Sequence, residues 1–175
     1  GVRREAVYAL AAHKSKKYAK ELMSISYGQD NRVRRAIWFA LRNYEKDEQV
    51  STFLQEVIDT DKKYYSVGDA FKALVIVDSS AAKIKVEDLL EIDSHTDVIR
   101  RSAISYFGSV KNDRNYNRLK KLVSYGGTTW DARPEAINQL AKYAKEKTKT
   151  LDLFVELLGD NTRSVRRNAV RQIGR

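Results

Sequence analysis

The sequence contains no cysteine, which excludes disulfide bonds, thiol nucleophiles and cysteine-ligated zinc sites. Its 175 residues include one proline and eight glycines, so few positions interrupt a helix. No apolar run is long enough to cross a bilayer, and no signal-peptide pattern opens the chain. These absences predict an all-α soluble protein without a membrane partner, and we expect it to be cytoplasmic.

Residues that carry out catalysis or hold cofactors are also scarce. The two histidines, His13 and His95, do not belong to a His-Glu-x-x-His zinc motif. No glycine-rich phosphate-binding loop occurs, and the carboxylates follow the general charge pattern of the helices. We therefore expect no catalytic residue, no metal site, no cofactor and no enzyme activity within this chain.

Charged residues of both signs are abundant, with 33 lysines and arginines against 23 aspartates and glutamates, a formal net charge of +10. A positive balance favours anionic partners such as acidic protein segments or nucleic acid. Because the two signs alternate along the whole chain, the same balance is typical of a well-solvated helical surface. Composition alone leaves both interpretations open.

A six-residue motif, which we call the phrase, recurs along the chain. It consists of an apolar residue, two positions that are often arginine, one further residue, a residue that is usually small, and a final apolar residue. It begins as Val2-Arg3-Arg4-Glu5-Ala6-Val7, and the fifth residue of each phrase marks an anchor position. Successive anchors lie 31 and then four times 33 residues apart, which is the signature of a repeat array. The anchors are Ala6, Ile37, Ala70, Ala103, Ala136 and Ala169.

Each phrase predicts one helix of a pair. Apolar residues four positions before and after the anchor place one stripe along a helix. Between the phrases lie further apolar segments at helical spacing, each ending in a turn rich in Asp, Asn, Thr or Gly, which cap helices. We expect an α-α superhelix of about five and a half helix pairs, forming a single domain over residues 1–175. The intervening segments are 18–27, 49–58, 81–92, 116–125 and 151–158.

An apolar residue followed by Arg-Arg-x-Ala-Val/Ile, after a turn that carries Asp or Asn, resembles the short HEAT-like helical repeat family. The resemblance covers essentially the whole chain and implies a solenoid whose second helices line a concave face. It departs in the third repeat, where Val67-Gly68 replaces the arginine pair, and in the fifth, where Pro134 replaces the second arginine. The patterns of tetratricopeptide and ankyrin repeats are absent.

An arginine stands three residues before the anchor in five of the six phrases. A position repeated so regularly predicts a structural ladder, in which each guanidinium binds a carboxylate or carbonyl in the turn of an adjacent repeat. Asp30, Asp97 and Asp160 are candidate partners. The arginines of this predicted ladder are Arg3, Arg34, Arg100, Arg133 and Arg166.

The second residue before the anchor and the second and fifth residues after it point away from the apolar stripe. The family resemblance implies that they line the concave groove, and a basic groove with interleaved aromatic residues fits an acidic peptide or a nucleic-acid backbone. Alternatively, Trp38 and Phe39 pack beneath longer side chains or against a neighbouring domain. The candidate binding residues are Arg4, Tyr8, Arg35, Trp38, Phe39, Arg42, Lys72, Arg101, Asn138, Arg167 and Arg171.

Segments 122–127, 136–144 and 157–161 resemble the C-terminal helical tail of some M1-family zinc aminopeptidases. This resemblance implies a parent peptidase whose catalytic domain precedes the chain, so no catalytic residue is transferred to it. The sequence pattern predicts that the chain begins within a helix at Gly1 and ends within another at Arg175, without polar capping repeats. We therefore expect a fragment of a longer chain, truncated at both ends.

Three functions remain open from the sequence. The first is a non-catalytic scaffold that binds a protein partner or the N-terminal domain of its own parent chain, as an M1-type tail would. The second is a nucleic-acid-binding domain with a basic concave groove, similar in architecture to DNA glycosylases built from such repeats. The third is accessory-lyase or maturation activity, as in HEAT-like proteins that handle bilin cofactors, for which no reactive site is visible.

Overall fold

The computed structural model describes residues 2–144 and 148–174, which form eleven α-helices and no β-strand. The predicted all-α fold is confirmed. Contacts divide the chain into two compact units, Gly1–Ile92 and Asp93–Arg175, which we call the first and second unit. The prediction of one repeat domain over residues 1–175 stays a prediction. Among the described helices, none combines the length and the apolar character needed to span a membrane.

In the first unit, helices that contain the recurring phrase, which we call phrase helices, alternate with helices formed by the intervening apolar segments. They are α1 (Val2–Ala12), α2 (Lys16–Ile25), α3 (Asn31–Leu41), α4 (Glu48–Thr60), α5 (Tyr64–Val77) and α6 (Ser79–Glu91), with a 3₁₀ turn at Ser26–Gly28. The phrase helix α3 contacts both α1 and α5, and α4 packs on α5. The three phrase helices of this unit therefore lie side by side.

Aspartate is the N-cap residue of three helices in the first unit. The side chain of Asp30 accepts hydrogen bonds from the amides of Arg32 at 2.8 Å and Val33 at 3.1 Å, and Asp47 and Asp78 cap α4 and α6 in the same way. A carboxylate at this position satisfies amides that have no partner inside the helix and interacts favourably with the helix dipole. These caps fix where the helices start.

The apolar stripes of the phrase helices form the core of the first unit. The anchors Ile37 and Ala70 are fully buried, as is Leu41 one turn after the first of them. The burial expected for Ala6 is wrong: Ala6 is exposed, while its neighbour Val7 is buried. The reason is that α1 packs mainly against α2 and α3, so its opposite side meets no helix of this unit.

The second unit repeats the same alternation. Its helices are α7 (Val98–Ser109), α8 (Asp113–Val123), α9 (Arg133–Leu140), α10 (Lys149–Glu156) and α11 (Arg163–Ile173), with 3₁₀ turns at His95–Asp97, Ala141–Tyr143 and Leu157–Gly159. The phrase helix α9 contacts α7 and α11, α8 packs on α7 and α9, and α10 packs on α11. Its anchors, Ala103, Ala136 and Ala169, are all fully buried.

Small residues let α7 and α9 approach closely. A Cβ atom built at Gly108 of α7 would lie 2.8 Å from the Cβ atom and 3.1 Å from the Cα atom of Gln139 on α9. Only a residue without a side chain fits that contact unless the helices shift. At the start of α9, Pro134 occupies the first turn, where a missing amide proton costs little.

Candidate binding site

A cleft of about 430 Å³ opens in the first unit over the phrase helices α1, α3 and α5. We call it the basic cleft and define it by its eight lining residues. Five of them are binding residues predicted from the sequence, namely Arg4, Tyr8, Arg35, Phe39 and Arg42. The other three are Arg32, Ala36 and Asp69. The helical periodicity of the phrase thus identified residues that the fold brings together at one place.

The basic cleft carries an excess of positive charge, because four arginines face one aspartate, a formal balance of 4 − 1 = +3. Arg35 donates from Nε to Oδ2 of Asp69 at 2.5 Å, and its guanidinium carbon lies 5.2 Å from the ring centroid of Tyr65. Arg4 pairs with the exposed carboxylate of Glu5 at 3.5 Å. Such exposed pairs contribute little to stability, so the cleft keeps its attraction for anions.

Arg42 is the least exposed of the four arginines in the cleft. Its Nε is buried without a hydrogen-bond partner, and within the described residues Arg42 makes no ion pair. Burial lowers the pKa of Arg42, and the nearby charge of Asp69 opposes that shift. A partly desolvated cation without a bound carboxylate would gain from an anionic ligand at this position.

Two aromatic rings complete the basic cleft. Tyr8 and Phe39 meet edge to face, with ring centroids 5.9 Å apart and ring planes at 82°. Phe39 remains 56% exposed, and the guanidinium carbon of Arg42 lies 5.0 Å from its ring centroid. The rings therefore give the ligand an apolar surface beside the cations.

Trp38 does not line the cleft, although the sequence analysis includes it among the binding residues. It is fully buried, and its Nε1–H donates to Oγ of Ser66 at 2.9 Å. Its ring packs 5.7 Å from the ring of Phe53 on α4. Trp38 follows the anchor Ile37 by one residue, which turns it away from the outward face, so its inclusion is wrong and it belongs to the core.

The remaining candidate binding residues lie elsewhere. Lys72 on α5 is half-buried and does not line the basic cleft. In the second unit, Arg101, Arg167 and Arg171 are exposed, and Asn138 accepts a hydrogen bond from the side-chain amide of Gln172 at 2.9 Å. For these residues a role in binding stays a prediction.

Two arginines of the predicted ladder bind a carboxylate in the turn of the next repeat. Arg34 forms an ion pair with Asp61, and Arg133 binds Asp160 through Nη1–Oδ1 at 3.2 Å and Nη2–Oδ2 at 2.5 Å. In both pairs the aspartate follows the arginine by 27 residues. The Arg133 and Asp160 side chains are only 3% and 8% exposed, so the charges neutralise each other away from water.

Arg100 finds its partners differently, because Gly127 occupies the position 27 residues after it. It pairs with Asp97 and, at 3.1 Å, with Asp93, both from the turn before its own helix. The hydroxyl of Thr129, in the next turn, donates to the other oxygen of Asp97. Asp97 thereby links two successive turns.

The first and last ladder arginines make uncharged contacts. Arg3 donates to the side-chain oxygen of Gln29 at 3.5 Å, and Arg166 donates to the backbone carbonyls of Asp160 at 2.7 Å and Asn161 at 3.1 Å. No ladder arginine lines the basic cleft. The ladder arginines therefore bind turns and are distinct from the arginines that line the cleft.

The turn aspartates are held in their ionised form. The hydrogen bond from Arg133 lowers the pKa of Asp160, although burial opposes the shift. A backbone amide of α3 is the main cause of the lowered pKa of Asp30. For Asp61, burial acts most strongly and raises the pKa, but hydrogen bonds from neighbouring donors and the charge of Arg34 together bring it below its usual value.

Three of the eight lining residues, Arg32, Ala36 and Asp69, were not predicted from the sequence. Arg32 precedes the phrase and was outside the positions considered, and Asp69 lies next to the anchor Ala70. The sequence does indicate the contact of Asp69 with Arg35, because Asp69 follows Arg35 by 34 residues, which is close to one repeat period. A carboxylate one period after an outward-facing arginine is placed to meet it on the neighbouring phrase helix.

Comparison with protein-family models and with curated proteins finds no match to this chain. Within residues 2–144 and 148–174, no cluster of three or more His, Asp or Glu side chains is arranged to hold a metal ion. The basic cleft is therefore the feature of the described residues on which a functional assignment rests.

Proposed function

We propose that this chain is a non-catalytic HEAT-like solenoid module whose basic cleft binds an acidic segment of a protein partner. The observation that carries the proposal is the cleft itself, where four arginines, one carboxylate and two aromatic rings converge on three adjacent helices. The 33-residue spacing of the anchors and the side-by-side packing of phrase helices within each unit support the solenoid architecture.

An acidic polypeptide is complementary to this cleft in charge. Guanidinium groups bind carboxylates through paired hydrogen bonds, and the exposed ring of Phe39 offers contact to the apolar parts of a peptide. The acidic segment belongs either to a separate protein or to the N-terminal domain of the same parent chain, as the resemblance to the M1-type tail implies. A cytoplasmic location is part of the same proposal.

A fluorescence-anisotropy titration with a labelled glutamate-rich peptide tests the proposed function. The double variant Arg32→Gln, Arg35→Gln removes two exposed cations of the cleft, and we expect binding to weaken at least tenfold. The matched control is Lys62→Gln, Lys83→Gln, which removes the same charge from exposed positions of the first unit outside the cleft. Equal weakening by both variants, or no peptide binding at all, contradicts the proposal.

Nucleic-acid binding is the second candidate, favoured by the net charge of +10 and by the cations beside exposed aromatic rings. It predicts that a single-stranded oligonucleotide binds more tightly than the acidic peptide, with an affinity that falls steeply as salt rises. The acidic-segment proposal predicts the opposite order of affinities. Both ligands are compared on the same protein at the same ionic strength.

A further inference from the structure

A second pocket, of about 500 Å³, lies at the ends of α1 and α3 in the first unit. It is formed by the turns that follow these two helices, and we call it the lysine pocket. Arg42 lines both the basic cleft and the lysine pocket, so the two are neighbours. The residues that line the lysine pocket are Lys14, Lys16, Arg42, Asn43, Tyr44, Glu45, Lys46 and Asp47.

The lysine pocket extends the positive charge of the basic cleft. It contains four cations and two carboxylates, a balance of 4 − 2 = +2. With Arg42 counted once, the two pockets together hold seven cations and three carboxylates, which is 7 − 3 = +4. One of the carboxylates, Asp47, is already engaged, because it accepts hydrogen bonds from the amides of Gln49 at 3.0 Å and Val50 at 3.1 Å.

The backbone supplies an observation independent of charge. Lys14 and Lys46 have φ angles of 48° and 61°, and within residues 2–92 they are the only non-glycine residues with positive φ. This region is unfavourable for lysine and favourable for glycine. The turn of Lys46 is further held by a hydrogen bond from its amide to the carbonyl of Val77 at 2.8 Å. Side chains kept at strained positions often serve binding, and here both belong to the same pocket.

We propose that the basic cleft and the lysine pocket form one track that binds an extended acidic segment of a protein through two separate anionic clusters. One cluster lies in the basic cleft and the other in the lysine pocket, with Arg42 between them. This inference rests on the proposed function and adds to it the length and charge pattern of the ligand. Arg42 suits the central position, because it lines both pockets and makes no ion pair within the described residues.

The pattern of charges favours a polypeptide over a nucleic acid. A nucleic-acid strand carries a phosphate at every nucleotide and would set some of its charges against Asp69 and Glu45. A polypeptide places carboxylates only where its sequence has them, so it can leave neutral residues opposite the acidic side chains. An interrupted anionic pattern therefore matches the track better than a uniform one.

The helix geometry gives the spacing of the two clusters. Arg35 and Arg42 are seven residues apart on one helical path, or about 10 Å along the axis. The lysine pocket begins at Arg42 and continues into the turn that follows. Since an extended chain advances about 3.3 Å per residue, about three residues span this distance of about 10 Å, and a spacer of about five residues, roughly 16 Å long, reaches past Arg42 into the turn.

The test measures binding of synthetic peptides to the intact chain by isothermal titration calorimetry. One peptide has two triplets of glutamate separated by five Gly/Ser residues, and the other has a single triplet in a Gly/Ser peptide of the same length. We expect the two-cluster peptide to bind at least tenfold more tightly, because the second contact becomes intramolecular. Lengthening the spacer well beyond the matching span reduces this advantage.

The double variant Lys14→Gly, Lys46→Gly removes the lysine side chains while placing at both turns the residue that positive φ favours. We expect its melting temperature to be unchanged or higher. The variant should lose the tenfold advantage of the two-cluster peptide and keep the affinity for the one-cluster peptide. The control Lys62→Gln, Lys83→Gln should retain the advantage.

The remaining outcomes contradict either the two-cluster track alone or the proposed function as well. Equal affinity for the two peptides, or an advantage that survives Lys14→Gly, Lys46→Gly, overturns the two-cluster track and leaves the proposed function standing. Loss of the advantage in the Lys62, Lys83 control as well shows a bulk charge effect and also overturns the track. Binding of neither peptide overturns the proposed function together with the inference.

Discussion

At the scale of single residues, neighbouring arginines in the phrase have different environments. Arg34 and Arg35 are adjacent, yet the side chain of Arg34 is 11% exposed and paired with Asp61, whereas that of Arg35 is 47% exposed and lines the basic cleft. One step along a helix rotates a side chain by about 100°, which is enough to separate a turn contact from a surface. The environment of an arginine in the phrase therefore depends on its position relative to the anchor.

The ion pair between Arg133 and Asp160 gives the first prediction. Asp160→Ala leaves a guanidinium that is 3% exposed without its carboxylate, and we expect the free energy of unfolding to fall by about 3–5 kcal/mol. Glu5→Gln, which breaks the exposed pair with Arg4, is the control and should change stability by less than about 0.5 kcal/mol. Urea denaturation measures both, and similar small effects would contradict a stabilising role of the ladder.

Helical periodicity predicts which residues share an outward face, whereas their role in binding stays a prediction. The five cleft residues came from their offsets, because a regular helix fixes the direction of each side chain. Trp38 was included among the candidate binding residues beside its neighbours, with burial left open as the alternative, and the structure buries it. Lys14 and Lys46 lie in turns, where the direction of a side chain depends on backbone angles that no periodic pattern specifies.

At the scale of helices, the packing of neighbouring phrase helices depends on small residues. The contact between Gly108 on α7 and Gln139 on α9 leaves no room for a Cβ atom.

The starts of the intervening helices are less visible in the sequence, because their first turns are polar. The apolar segment predicted from residue 116 corresponds to α8, which begins at Asp113 after the cap Asn112. Capping residues carry no apolar signal, so periodicity places such a helix too late.

Substitution of Gly108 tests the helix contact. Gly108→Ala raises helix propensity by about 1 kcal/mol, yet we expect a net destabilisation of about 1–3 kcal/mol, because the new methyl group meets the Cα and Cβ atoms of Gln139. Gly159→Ala in the same unit has no atom within 4 Å of the added carbon and should be close to neutral. Thermal unfolding followed by circular dichroism distinguishes the two. A stabilising Gly108→Ala would show that the helices do not approach this closely.

The turn aspartates predict a direction of pH dependence. Asp30, Asp61 and Asp160 have pKa values lowered in the folded chain, so their contribution to stability is fully present above the unfolded value of about 4. It is lost as the pH falls from there through the folded pKa values. Urea unfolding should thus give a nearly constant free energy from pH 7 to about 5 and a decline below about 4. A maximum of stability near pH 3 would contradict this.

At the scale of the whole molecule, the repeat period determined most of what could be predicted. The spacing of 33 residues predicts paired helices, and both units consist of such helices. The period does not reveal the division into two compact units between Ile92 and Asp93, because the phrase recurs on both sides of it. The proposed function depends on one local surface, the track in the first unit, which the net charge of +10 indicates only in general terms.

The central claim is that an acidic protein segment binds along the track of the first unit. A residue-resolved NMR titration of the intact chain with the two-cluster peptide tests it most directly, with the side-chain Nε–H signals of Arg35 and Arg42 as reporters. We expect shifts concentrated at these arginines, at Phe39 and at the turns that contain Lys14 and Lys46. Shifts concentrated on α2 and α4, or no shifts at saturating peptide, would contradict it.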